Sequence, residues 1–214
     1  MYRLHCFAQS GPSFKVAFLL RALGQPYEPV FVDFMHGQTR EPAWRAQTNE
    51  MGEVPVLETG DGRRLTQSGA IMSWLADRHG AFGGADADER LEVLRWLLFD
   101  NHKFTSYFAS YRYAKAFAPA APEPAVMAWL KGRIDAAYAI LDRHLDGRAY
   151  VVGTAPTIAD FSLSGYLFYP VEESDYEIEG RYPNLAAWRE RMRQLPGWGS
   201  PYDIMPGKRI APKW

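Results

Sequence analysis

Cysteine is nearly absent from this 214-residue chain. The single residue, Cys6, excludes an internal disulfide and a Cys-x-x-Cys redox pair, which fits a reducing compartment or a fold that needs no covalent staple. A surplus of charge is missing too: 24 Lys and Arg stand against 25 Asp and Glu. Nucleic-acid binding draws on a basic excess to neutralise phosphates, so this balance speaks against it. There is no long apolar run. The stretch 16–23 is broken by Arg21 and falls far short of the ~18 residues that span a bilayer. The opening residues, MYRLHCFAQSGPS, hold no uninterrupted apolar segment of the secretory kind. The expectation is a soluble cytoplasmic protein with neither membrane nor nucleic-acid partners. His36, His79, His102 and His144 lack ligand spacing with cysteine or with one another, so no metal is expected.

Hydrophobic residues, by contrast, make up 47% of the chain, enough for a sizeable core and incompatible with disorder as the main state. Residues 2–7 alternate as a strand does, and polar punctuation follows at 9–13. Pro12 suits a first helical position, Val16, Leu19, Leu20 and Leu23 recur at helical spacing, and Gly24 is a natural stop. A second extended run at 27–34 completes a parallel βαβ opening. Val54-Pro55 begins another strand, Asp61-Gly62 turns the chain, and 64–66 returns antiparallel. A helix from Gln67-Ser68 to His79-Gly80 closes a small α/β domain, residues 1–80. The flexible stretch 81–86 is a linker. Residues 87–214 show only helical patterns at 91–111, 126–145, 158–169 and 185–195, giving an all-α second domain.

Ser10-Gly11-Pro12-Ser13 lies where a thioredoxin-like domain would carry its dithiol, with oxygen in place of both sulfurs. A hydroxyl at a helix N-terminus, beside free N–H groups and the positive dipole end, favours an anion. Were that anion a bound thiolate, lowering its pKa from about 8.5 to about 6.5 would take roughly 2.7 kcal/mol. A hydroxyl donor and a helix terminus can supply roughly that much. Ser10 is equally suited simply to cap the helix, and Ser13 is an alternative hydroxyl. A cis Val54-Pro55 bond would leave the Val54 N–H and C=O free for an extended peptide, whereas an ordinary strand start is the plainer reading. Gln67-Ser68, with Ser68 as N-cap, forms a polar pocket for an ammonium and a carboxylate.

The ordered set SGPSFKV, NEMGEVPVL and QSGAIMSWLA resembles the cytosolic glutathione S-transferase family, and the likeness covers nearly the whole chain. It implies a thioredoxin-like domain followed by a helical bundle and a serine-type bacterial member, with theta, nu and phi among the subclasses it is similar to. Glutathione would be the co-substrate. Ser10 would stabilise its thiolate, Val54 and Pro55 would hold its cysteinyl backbone, Gln67 and Ser68 its γ-glutamyl end, and Arg40 its glycine carboxylate. The activity implied is conjugation to small hydrophobic electrophiles, in a homodimer. Dehalogenation, ether cleavage and isomerisation reuse the same thiolate, and a glutathione-binding module without turnover would keep the same scaffold. Glu50 and Ala8 stand where that family often has proline. Phe104, Tyr107, Phe108 and Tyr111 repeat at helical spacing and would either line an apolar cleft for the electrophile or fill the core. Thr157-Ile158-Ala159-Asp160 has capping-box spacing, which gives Asp160 a structural role. Cys6, within the first strand, reads as a buried thiol.

Overall fold

The computed structural model describes residues 1–214. The chain divides into two compact units, Met1–Ala81 with Pro196–Arg209, and Phe82–Leu195 with Ile210–Trp214.

The first unit runs β1 (Tyr2–Cys6), α1 (Gly11–Ala22), β2 (Tyr27–Phe31), a 3-10 turn (Gln38–Arg40), α2 (Pro42–Gln47), β3 (Val56–Glu58), β4 (Arg64–Thr66) and α3 (Ser68–His79). The sheet order is β2-β1-β3-β4, with β1 parallel to β2 and antiparallel to β3, and β3 and β4 forming a hairpin. Alternation along β1 buries Leu4 and Cys6 completely. On its other face Arg3 and His5 meet Glu58, and Arg3 also meets Glu28. Helix α1 is apolar nearly all round, from Phe14 to Leu20 without exposure apart from a trace at Lys15, as befits a helix enclosed on every side. Gly24, at φ +65°, lies just past its end. Gly80, at φ +63°, closes α3 in the left-handed conformation, with its N–H on the Ala76 carbonyl.

The second unit is helical: α4 (Ala87–Phe99), one π turn (Asp100–Phe104), α5 (Thr105–Ala116), α6 (Pro124–His144), α7 (Ile158–Leu163), a 3-10 turn (Val171–Glu173) and α8 (Pro183–Arg193). The Asp86 side chain caps α4 by accepting the Glu89 N–H at 2.9 Å. The pattern at 91–111 is thus one long rod interrupted by the π turn. There the buried Asp100 carboxylate accepts the Thr105 hydroxyl at 2.6 Å and the Ser162 hydroxyl at 2.5 Å. The capping box at Thr157 and Asp160 is formed. The fully buried Asp160 also accepts the Trp188 indole N–H at 2.8 Å and the Val151 N–H at 3.0 Å. Its burial pushes the carboxyl pKa up, against the pull of these donors. Arg112 and Glu173 form a buried ion pair, the guanidinium also lying 3.9 Å from the centre of the Tyr169 ring. No helix is long and apolar enough to cross a membrane.

Sequence periodicity draws the helical domain as one uninterrupted segment, 87–214. Instead, Pro196–Arg209, which carries α9 (Pro201–Ile204), belongs to the first unit. The Tyr27 hydroxyl donates to the Ile204 carbonyl at 2.9 Å, and Arg21 Nε to the Gly197 carbonyl at 2.7 Å. The Ala8 N–H donates to the Pro206 carbonyl at 2.8 Å. These are backbone acceptors, which leave no trace in side-chain pattern.

Candidate functional site

Strand directions gather the singled-out residues at one end of the sheet. His5 pairs with Val56, and Val56 with Thr66, so the residues after β1, before β3 and after β4 leave the same edge. Cys6 pairs with Phe31 in parallel, which brings the chain after β2 to that edge as well. Ser10, Val54-Pro55, Gln67-Ser68 and Arg40 therefore all belong to loops or helix starts at this one end.

Ser10 is the N-cap of α1, with extended backbone and its Oγ accepting the Ser13 N–H at 3.2 Å. Accepting that bond leaves the hydroxyl proton available for donation. Ser13 is completely enclosed and its Oγ meets no partner. Gln9, just before the cap, sends its amide N–H to the Lys208 carbonyl at 2.6 Å, and the Phe7 and Phe34 rings stack 4.8 Å apart.

The Val54-Pro55 bond is cis. The strand starts later than the sequence suggests, since β3 begins at Val56. Pro55 has no N–H to give to a ladder, and Val54 takes part in no backbone hydrogen bond. The Val54 side chain packs against the Val32, Trp44 and Val56 cluster, fixing the loop while its peptide groups stay unpaired. Asn49 shapes the approach: its amide donates to the Glu53 carbonyl at 2.8 Å and its Oδ1 accepts the Met51 N–H at 3.1 Å.

Gln67, not Ser68, occupies the N-cap position of α3, and its side chain makes no cap bond. Ser68 is the first helical residue. Gln67 holds φ +65°, a left-handed backbone that glutamine rarely adopts and that marks a place where the surroundings override local preference. Its amide donates to the Glu53 carboxylate at 2.8 Å. The first N–H groups of α3 face no acceptor in the chain, as expected at a helix start without a side-chain cap. Glu53 is the contributor that residue patterns miss, because its position before Val54 carries no signal of the contact across to Gln67. Arg40 ends the 3-10 turn, is exposed, and forms no salt bridge.

Cys6 is fully buried and its thiol pKa is pushed up to about 12 by desolvation. Phe104, Phe108 and Tyr111 are core residues, stacked or edge-on with Tyr138 or Tyr176. Of the two alternatives the core one holds for Phe104, against Tyr138 of α6, and for Tyr111, against Tyr176, whereas Phe108 both packs on Tyr138 and lines a cavity of about 370 Å³ with Tyr166 and Tyr169. Tyr107 alone is outside that core, edge-on to the exposed Trp129. No three His, Cys, Asp or Glu side chains stand together as a metal site would require.

Comparison with known proteins bears on the family and the fold. The family profile described as Glutathione S-transferase, N-terminal domain matches residues 3–77, and that of the C-terminal domain matches residues 104–196. Glutathione S-transferase F14 of Arabidopsis thaliana is 26% identical over 206 residues, covering 92% of this chain and 80% of that protein. A crystal structure from Rhodopseudomonas palustris, described as a possible glutathione S-transferase, is 32% identical with a TM-score of 0.86, covering 96% of this chain and 99% of the other. Ure2p in complex with glutathione shares the fold at a TM-score of 0.84 and 21% identity, over 95% and 97% of the two chains.

Proposed function

Because the chain belongs to the glutathione S-transferase family, we propose that it binds glutathione at the sheet end carrying Ser10 and transfers its sulfur to small hydrophobic electrophiles. The observation that carries this reading is the convergence of three unmet hydrogen-bonding groups: the Ser10 hydroxyl proton, the Val54 peptide and the start of α3.

In this reading the cysteinyl backbone of glutathione pairs with the Val54 N–H and C=O as a short added strand. The γ-glutamyl carboxylate takes the Ser68 hydroxyl and the first N–H groups of α3, and its ammonium lies by Gln67 and Glu53. Arg40 receives the glycine carboxylate. The thiol, held near the N-terminus of α1, gives its proton to solvent, and the Ser10 hydroxyl donates to the thiolate left behind. That thiolate attacks the electrophilic carbon as the leaving group departs. The protein contributes a prepared anion site and positioning, without a covalent enzyme intermediate. The role suggested is detoxification by a cytoplasmic homodimer. Exposed Leu91, Leu94 and Leu98, at helical spacing on α4, support self-association.

Turnover of 1-chloro-2,4-dinitrobenzene with glutathione tests the assignment. Ser10→Ala is expected to lower kcat/KM about ten- to a hundredfold, the roughly 1.5–3 kcal/mol of one hydrogen bond to an anion, since the helix terminus keeps its share. Unchanged turnover would remove Ser10 from the role. A second reading is glutathione binding without turnover on the same scaffold; Ure2p, which shares the fold, has been solved with glutathione and S-hexylglutathione. Calorimetry that shows tight glutathione binding beside inactivity toward every electrophile would select it.

A further inference from the structure

The interior of the helical unit holds a group of tyrosines that the transferase reading does not use. Tyr138 of α6 is fully enclosed, its ring centre 5.2 Å from that of Tyr176 and 5.8 Å from that of Tyr182. Phe108 joins the same cluster, 5.8 Å from Tyr176 and 5.9 Å from Tyr166, and Tyr169 stands 5.6 Å beyond Tyr166. Tyr166 and Tyr169 are half-buried, whereas Tyr176 is buried. The rings therefore run in contact from the rim of the unit to its interior.

Their hydroxyl groups are unequally placed. That of Tyr138 is buried without a partner. Tyr176 donates to Asp135 Oδ1 at 2.5 Å, and Tyr182 to the same oxygen at 3.2 Å. Arg181 holds this carboxylate at 2.9 Å, and the ion pair opens to solvent. Burial, together with the hydrogen bond to Asp135, pushes the Tyr176 pKa far above the usual tyrosine range, so the resting phenol keeps its proton. Loss of an electron reverses that preference. An oxidised phenol is a strong acid, and a carboxylate already in hydrogen-bond contact takes its proton without any movement of heavy atoms. Tyr138 has no such acceptor. The Arg112 guanidinium, 3.9 Å from the centre of the Tyr169 ring and 5.4 Å from that of Tyr166, opposes positive charge on those two. Arg181 stands over Tyr176 and Tyr182 in the same way, at 5.4 and 5.2 Å. A tyrosine that has passed its proton to Asp135 is neutral, however, and is not repelled.

We propose that Tyr176 is a site of one-electron oxidation, the place where an electron hole delivered by a radical oxidant comes to rest. The Tyr176 ring gives one electron to the oxidant, an organic peroxyl radical for example, which becomes its anion. The phenolic O–H bond breaks, and the proton forms the carboxyl O–H of Asp135. The tyrosyl radical that remains is enclosed, whereas a radical on the exposed Tyr113 would be open to coupling with a second molecule. Neither Ser10 nor glutathione enters this proposal, which stands apart from the catalytic reading.

Flash oxidation of the full chain by photogenerated tris(bipyridine)ruthenium(III) tests it, read by the paramagnetic resonance and optical signals of the tyrosyl radical. A persistent radical is expected in the wild type and in Tyr182→Phe. Tyr176→Phe, which keeps the ring and its packing, loses most of that signal. Asp135→Asn forms the radical about tenfold more slowly, the loss of one charge-assisted proton acceptor. Light-driven cross-linking between molecules rises in Tyr176→Phe, since the hole then settles on exposed rings. Any of four results would overturn the proposal: an undiminished signal in Tyr176→Phe, its loss in Tyr182→Phe, an unchanged rate in Asp135→Asn, or cross-linking in Tyr176→Phe no greater than in the wild type.

Discussion

Gln9 and Lys208, almost two hundred positions apart, are joined by a 2.6 Å hydrogen bond from the glutamine amide to the lysine carbonyl. Beside it the Ala8 N–H reaches the Pro206 carbonyl, and Gly207 between them holds φ +114°. A Cβ on Gly207 would stand 3.2 Å from the Phe31 ring. The turn into α1 is therefore clamped by a returning segment that only glycine fits. Gln9→Leu removes the amide and strands the Lys208 carbonyl, at a cost of about 1–3 kcal/mol. Gly207→Val adds backbone strain to steric pressure and is expected to cost more. Urea denaturation measures both, and an unchanged midpoint in Gln9→Leu would dismiss the clamp.

Cys6 is expected to be inert to a disulfide reagent at about pH 8 in the native protein and to react at once in denaturant, since its thiolate is suppressed by burial. The sign of the pH effect follows. A thiol whose folded pKa of about 12 exceeds its ordinary 9.0 leaves stability intact below pH 9. As pH rises from about 9 toward about 12, the unfolded state loses protons that the folded state keeps, and up to about 1.4 kcal/mol is lost per pH unit. Denaturation midpoints measured across that window check the slope.

Ser68→Ala should raise KM for glutathione about five- to tenfold and leave kcat nearly unchanged, because the hydroxyl is assigned to the remote γ-glutamyl end and contributes equally before and during reaction. A fall in kcat with constant KM would contradict that assignment.

Leu94→Asp places a charge in the middle of the apolar stripe on α4 and is expected to shift sedimentation toward the 24.3 kDa monomer. A wild-type protein that sediments as a monomer at micromolar concentration would count against the dimer altogether.

Glu173→Gln leaves the Arg112 guanidinium buried without its counter-charge and is expected to cost about 3–5 kcal/mol. The double change Arg112→Met with Glu173→Leu should recover much of that loss, since it buries no charge. Thermal melts of the two variants distinguish them.

Local chemistry made much of the sheet unit, and one helix start of the second unit, legible. Pro12 and Gly24 bracket α1, Asp61-Gly62 marks the hairpin, and the Thr157–Asp160 spacing announces its capping box. The convergence of Ser10, Val54 and Gln67 at one edge comes from the sheet order and register, which local pattern does not supply. What stayed hidden was set by distant partners. Glu53 reaches Gln67 through a loop whose shape comes from Asn49. Phe104 has the spacing of a cleft-lining face and of a core face alike, and only the position of Tyr138 decides between them. The return of residues 196–209 rests on carbonyl acceptors, which every residue possesses and no pattern distinguishes.

That return makes the sheet unit discontinuous in sequence, with residues 82–195 of the helical unit inserted between its two pieces. During synthesis, residues 1–81 leave the ribosome long before the segment that seals the turn into α1 exists. The sheet can pair early, but the turn that carries Ser10 gains its clamp only after residues 206–208 are made, so its geometry is fixed later than that of the strands. A chain shortened before Pro206 would keep every residue assigned to glutathione and still lack the means of holding Ser10 in position.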